Sequence, residues 1–278
     1  MSFARLPSEL LYQITNYLDS PREMTALMKT NRLLYAFFRP LRYEHNIQHE
    51  QSSALSWVAA GGYLQTVRNM ITNGANIETT KKNRKGSSFD RLMEDVTPLG
   101  MAVLHGHYAV TVLLVESGAN INTQFFTPKT TPLEVAAYWG RLEIVAYLVK
   151  TMIGRCGTLQ DIPYSGPISE AVSRNQVEIV RFLLDKGADI ESKDCHGDSL
   201  LCQAINIWGH SGGEVGVLLI ERGADVTVKD YCGATPLHNA VRLGFADAVR
   251  LLLENGADSE ALTDGDEESP LDWIGHQY

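Results

Sequence analysis

Apolar residues in the stretch 235–253 recur every three to four positions: Leu237, Ala240 and Val241, then Val249, Leu252 and Leu253. This period predicts two short helices, each with one apolar face. Thr235 suits the N-cap of the first, and Pro236 its first turn, where a missing N–H costs nothing. Gly256 ends the second, where a left-handed residue needs no Cβ. The same signals return along the chain. Thr97-Pro98-Leu99 leads to Gly118-Ala119-Asn120, Pro167-Ile168 to Gly187-Ala188-Asp189, and Ser199-Leu200-Leu201 to Gly223-Ala224-Asp225. Thr131-Pro132-Leu133 opens another copy, and Ala54-Leu55 with Gly74-Ala75-Asn76 an earlier one. The proline-equivalent positions 54, 98, 132, 167, 200, 236 and 270 are 44, 34, 35, 33, 36 and 34 residues apart. No helix of such a pair buries its face alone, so neighbouring pairs must stack.

The copies differ in informative ways. The one at 131–152 has Met152-Ile153-Gly154 where Gly-Ala is expected, so its second helix runs on or ends irregularly. The spacing of 44 contains an insertion around Lys81–Asp95, read as a long exposed loop. The spacing of 36 contains a smaller one at Gly209-His210-Ser211-Gly212-Gly213, and the last copy stops after Trp273-Ile274 as a half-repeat.

Over about residues 52–278 the chain resembles the ankyrin family, whose period is about 33 residues. The fold implied is all-α: an ankyrin-repeat solenoid of about six repeats with a C-terminal half-repeat cap. The resemblance places the residues after the first-helix alanine pair, and the fingertip loops, on a concave binding face. Mapped by repeat position these are Leu104, His105, Tyr138, Trp139, Ser173, Arg174, Asn206, Ile207, Arg242 and Leu243, with Phe125, Phe126, Cys195, His196, Tyr231 and Cys232 at the fingertips. Aromatic residues and Arg dominate binding hot spots, so these positions read as a groove for a protein substrate. The competing reading has Tyr138 and Trp139 filling space beside the irregular third copy. His238 resembles the family's hydrogen-bonding link between neighbouring turns.

Residues 5–45 do not fit the repeat. Leu6-Pro7-Ser8-Glu9-Leu10-Leu11, then Ile14 and Tyr17-Leu18, describe a short amphipathic helix that Pro21 breaks. Met24, Leu27, Met28, Leu34, Tyr35, Phe38 and Leu41 form a second apolar set around Thr30-Asn31-Arg32. This segment resembles an F-box, and the combination resembles F-box/ankyrin proteins of filamentous fungi. The resemblance divides the chain into an F-box-like helical domain at 1–50 and an ankyrin domain at 51–278. It implies a substrate-recognition subunit of a cullin ubiquitin ligase, with Leu6, Pro7, Leu10, Leu11, Ile14, Leu18 and Leu27 facing a Skp-type adaptor. Alternatively, these residues only cap the open end of the array, leaving a protein-binding scaffold without a ligase link.

Charge and cysteine content narrow the classes. Net charge is −9, and residues 51–278 carry eighteen Lys/Arg against twenty-eight Asp/Glu, which argues against nonspecific nucleic-acid binding. Lys81-Lys82-Asn83-Arg84-Lys85 is too short to reverse that. The four cysteines contain no CxxC pair, no stretch approaches the ~20 apolar residues of a membrane helix, and the start lacks a secretory signal. A monomeric chain in the cytoplasm or nucleus, with no cofactor, is expected.

Three patterns imitate chemistry. Gly209-x-Ser211-x-Gly213 matches the hydrolase elbow, but no strand precedes it, so its glycines read as a lengthened turn. An enzyme acting on a small molecule in the aromatic groove is the remaining catalytic alternative. His45-xxx-His49-Glu50 lacks a zincin's glutamate position and third ligand. Cys195, His196 and Cys232 make three zinc candidates on neighbouring tips, one short of a closed site. Asp264-Gly265-Asp266-Glu267-Glu268 lacks calcium-loop spacing.

Overall fold

The computed structural model describes residues 54–80, 96–124, 130–156, 165–194, 196–207, 213–265 and 267–274. Among them every regular element is a helix; isolated bridge residues occur at Thr130 and in the pair Lys193 and Ser199. The residues fall into two compact units. Their boundary lies near residue 120, where the repeat spacing gives no sign of a break.

The first unit contains two helix pairs: α1 (Ala54–Ala60) with α2 (Leu64–Thr72), and α3 (Pro98–Leu104) with α4 (Tyr108–Glu116). Helix α1 packs on α3, and α2 on α4. The Thr97 hydroxyl accepts from the Gly100 N–H at 3.2 Å, and Pro98 occupies the first turn, as the sequence predicts. Between the pairs, His107 Nε2 lies 2.8 Å from the Ala60 carbonyl oxygen, and the Asn120 N–H donates to Glu78 Oε1 at 2.7 Å.

The second unit continues the pattern. Inner helices are α5 (Pro132–Tyr138), α7 (Ser165–Ser173), α9 (Leu200–Asn206) and α11 (Pro236–Arg242). Outer helices are α6 (Leu142–Cys156), α8 (Val177–Asp185), α10 (Glu214–Glu221) and α12 (Ala246–Glu254). A 3-10 turn, Pro270–Trp273, follows. Each inner helix packs on the next, α11 packs on the 3-10 turn, and α6, α8 and α10 form the outer row. The core lies between the rows, with Leu133, Val145, Ile168, Leu183, Leu200, Leu219 and Leu237 almost fully buried.

Side chains in the recurring motifs explain the register. Turns after Gly-Ala are closed by the acidic or amide residue that follows: Asp189 Oδ1 accepts from the Glu191 N–H at 2.9 Å, and Asp225 Oδ1 from the Thr227 N–H at 2.8 Å. Glu191 then reaches across, accepting from the Asp225 N–H of the next repeat at 2.9 Å. Asn175 stands where other copies have a left-handed glycine. It adopts φ 52°, and its Oδ1 accepts from the Val215 N–H of the following repeat at 3.3 Å.

The third copy departs as its sequence predicts. Helix α6 runs for 15 residues, against nine in α8 and α12. At the other end, α12 has no outer helix beyond it among the described residues. The consequence is visible at one register position. Val149 and Ile220 are 1% and 6% exposed, whereas Leu253, their equivalent in α12, is 45% exposed. It lines a shallow apolar groove with Val241 and Val249. The expected loop at 81–95, the F-box-like segment at 1–50 and the lengthened turn at 209–212 lie outside the described residues.

Candidate functional site

The inner helices of the second unit are short and end in register, so their last residues form a row. Tyr138 and Trp139 close α5, Ser173 and Arg174 close α7, Asn206 and Ile207 close α9, and Arg242 and Leu243 close α11. The Trp139 N–H caps Val135 at 3.1 Å, and the Leu243 N–H caps Asn239 at 3.0 Å. These bonds fix where the side chains leave the backbone. The negative end of each helix dipole sits here, which favours the cations Arg174 and Arg242.

Three of these side chains meet. The Arg174 guanidinium lies over the Tyr138 ring, 4.0 Å from its centroid, and Trp139 packs edge-on against Tyr138 with centroids 5.4 Å apart. Trp139 is 50% exposed and Arg174 is exposed, so the stack faces solvent rather than filling a gap. No carboxylate among the described residues pairs with Arg174. Glu170, one turn back on α7, is half-buried. Burial pushes its carboxyl above the usual range, and Glu134 on α5 adds to the shift. Glu134 is itself held by the α5 cap, accepting from the Thr131 N–H at 2.6 Å.

Arg242 is more committed. Its Nη2 donates to Asn239 Oδ1 at 3.1 Å, and its guanidinium lies 5.9 Å from the Trp273 ring centroid. Asn239 Nδ2 in turn donates to Asp230 Oδ2 at 2.9 Å, which ties the row to a fingertip. Two fingertips are built alike. Asp194 Oδ1 accepts from the His196 and Asp198 N–H groups at 2.8 and 2.9 Å, and Asp230 Oδ1 from those of Cys232 and Ala234, both at 2.9 Å. Asp198 links them by accepting from the Tyr231 N–H at 3.4 Å. Burial raises its carboxyl above the usual range; the Tyr231 bond opposes this, and Asp194 and Asp230 reinforce it.

His238 is fully buried beneath this end. A backbone N–H can only donate, so the Thr235 bond at 3.1 Å makes Nδ1 the acceptor and leaves the hydrogen on Nε2. Nε2 then donates to the Glu268 carbonyl oxygen of the next turn at 3.1 Å. Trp273 packs edge-on against the imidazole, and its Nε1 donates to Glu268 Oε2 at 2.7 Å. The link expected of His238 is therefore present.

The cation–π and edge-on contacts of the Tyr138–Trp139–Arg174 stack include none of the other sequence-derived candidates. Leu104 is half-buried and His105 exposed at the end of α3, in the first unit. Asn206 is exposed and Ile207 half-buried, while His196 and Tyr231 are exposed at fingertips. Phe125, Phe126, Cys195, Ser211, His45, His49 and the adaptor candidates Leu6, Pro7, Leu10, Leu11, Ile14, Leu18 and Leu27 lie outside the described residues. Among the described residues, no group of three His, Cys, Asp or Glu is placed to hold a metal ion. Burial pushes the Cys202 thiol up to about 12, so it is no nucleophile at neutral pH. No helix among the described residues is long and apolar enough to cross a membrane.

Sequence reasoning overlooked the tie from Asp230 through Asn239 to Arg242. Its signal was the recurrence of Lys193-Asp194-x-x-Gly197 as Lys229-Asp230-x-x-Gly233.

Known proteins share this repeat architecture. A family model described as ankyrin repeats matches in three copies, at residues 55–161, 127–194 and 201–274. The crystal structure of the human ASB11 ankyrin repeat domain superposes with a TM-score of 0.63 at 26% identity, covering 81% of this chain and 93% of that one. In sequence, the chain is 28% identical over 234 residues to the Caenorhabditis elegans ankyrin repeat and KH domain-containing protein mask-1, covering 75% of this chain. It is 28% identical over 202 residues to palmitoyltransferase AKR1 of Lachancea kluyveri, covering 71% of this chain. The matches span only 8% and 26% of those two relatives.

Proposed function

The chain belongs to the ankyrin-repeat family, and on that premise we propose that it is a protein-binding module whose partner rests on the inner-helix row at Tyr138, Trp139 and Arg174. The observation that carries this reading is the solvent-facing stack of Arg174 on Tyr138 beside a half-exposed Trp139. Large aromatic surface and a pre-oriented guanidinium offer contact area at low entropic cost, as hot spots do. The test is affinity purification of the full chain from its own cells, wild type beside Trp139→Ala and Arg174→Glu. Proteins held by the wild type and lost from both folded variants support the reading. An unchanged set of bound proteins overturns it.

A finer reading rests on the sequence of residues 5–45. Leu6-Pro7-x-Glu9-Leu10-Leu11-x-x-Ile14 has the opening pattern of an F-box. On this reading Leu6, Pro7, Leu10, Leu11, Ile14, Leu18 and Leu27 bind a Skp-type adaptor, and the repeats present a protein substrate to a cullin ubiquitin ligase. Catalysis then belongs to the recruited machinery, and this chain contributes proximity. One-to-one copurification with a coexpressed Skp-type adaptor, lost in Leu10→Asp/Leu11→Asp, is the expected result. A folded chain that binds no adaptor leaves residues 5–45 as a cap.

A further inference from the structure

We infer that the segment bound by this row is acidic: an extended peptide stretch carrying an Asp or Glu side chain beside an apolar or aromatic one. The inference rests on the protein-binding reading and specifies the chemistry of the partner.

The argument starts from charge. The second unit's row of Tyr138, Trp139, Ser173, Arg174, Asn206, Ile207, Arg242 and Leu243 contains two arginines and no acid, in a chain of net charge −9. A carboxylate-free row in an acidic protein is a local field of opposite sign, and it selects partners of complementary charge. Arg174 has the geometry to use that field. Tyr138 supports one face of its guanidinium at 4.0 Å, so stacking leaves the N–H groups at the edge available. Those donors match a carboxylate in a two-pronged bond. Glu170, one turn back on α7, is half-buried and makes no ion pair with Arg174.

Trp139 supplies the second requirement. Its half-exposed indole adjoins the Tyr138 ring and gives an apolar shelf next to the cation. Arg242 ends α11, two inner helices beyond Arg174, with α9 packed between. Packed helices lie ~8–10 Å apart, so the arginines are separated by about 20 Å. An extended chain covers that distance in about six residues at ~3.3 Å each. A second acid at that spacing is the expected accessory feature. It contributes less than the first, because Arg242 already bonds Asn239.

The test pans a phage library of random dodecapeptides on the full chain. Enriched sequences are synthesised with amidated C-termini, so that only side-chain carboxylates are read. Binding is followed by fluorescence anisotropy against wild type, Arg174→Gln, Arg174→Glu and Trp139→Ala, each checked for an unchanged thermal transition. The expected result is enrichment of Asp or Glu near an apolar residue. Arg174→Glu should then weaken binding at least about tenfold, and a Lys-for-acid peptide should recover affinity for that variant. Peptides that lose affinity in Trp139→Ala but lack acids, or ignore Arg174→Glu, overturn the acidic inference and leave the binding surface standing. Peptides indifferent to both residues, or no enrichment, overturn the inference and the surface together.

Discussion

The Arg174 guanidinium and the Tyr138 ring, 36 positions apart in sequence, are stacked at 4.0 Å on the ends of adjacent inner helices. Neither helix places its residue there by its own preferences. The contact exists because repeats stack in register, so equivalent positions of neighbouring copies become neighbours in space. An exposed cation–π pair contributes only ~0.5–1 kcal/mol to stability. Its larger consequence is to hold the Arg174 guanidinium in one orientation on the solvent-facing row.

Removing His238 should destabilise the C-terminal end. His238→Ala leaves the Glu268 carbonyl and the Thr235 N–H without their side-chain partner. A loss of about 1–3 kcal/mol is expected in urea unfolding. It should come with altered Trp273 fluorescence, since that indole packs on the imidazole.

The open outer end makes two equivalent positions unequal. Val149→Ala, at a buried site, should cost about 2 kcal/mol, and Leu253→Ala less than about 1 kcal/mol. Comparing chemical denaturation midpoints checks both. Equal losses would mean that another part of the chain covers α12.

Glu170 sets a pH dependence of known sign. Burial, then Glu134, raises its folded-state pKa above the unfolded value. Its contribution to stability is therefore fully present below the unfolded pKa and is lost as pH rises through the folded one. Glu170→Gln should melt above wild type at pH 7, and the difference should close on acidification below the ordinary carboxylate range. Thermal melts across pH 3–8 measure this.

Glu267 occupies a left-handed conformation, φ 52°, where the neighbouring fingertips carry Gly197 and Gly233. Glu267→Gly should relieve that strain. A gain of up to about 1 kcal/mol is expected, after allowing for the greater freedom of glycine in the unfolded chain. Calorimetry on the two proteins decides it.

The local signals were readable from the sequence because each acts within one turn. Thr97-Pro98 and Thr131-Pro132 name their own caps, and Met152-Ile153-Gly154 announces that α6 will not stop at the usual place. Repeat position likewise placed Tyr138, Trp139 and Arg174 in one row. Their stacking could not be read, because it depends on side-chain direction across a helix–helix gap. The same holds for the Asp230–Asn239–Arg242 chain, which joins a fingertip to a helix end. The boundary near residue 120 left no trace either. It lies within an ordinary 34-residue spacing.

The most direct measurement places a benzophenone photo-crosslinker at position 139 of the full chain, with the same probe at Arg181 on outer helix α8 as the control. Irradiation in the protein's own cells should give a discrete set of protein adducts from position 139, lost when Arg174→Glu is added, and none of that set from position 181. The same adducts from both positions, or adducts from 139 that ignore Arg174→Glu, would contradict a partner seated on the Tyr138–Trp139–Arg174 row.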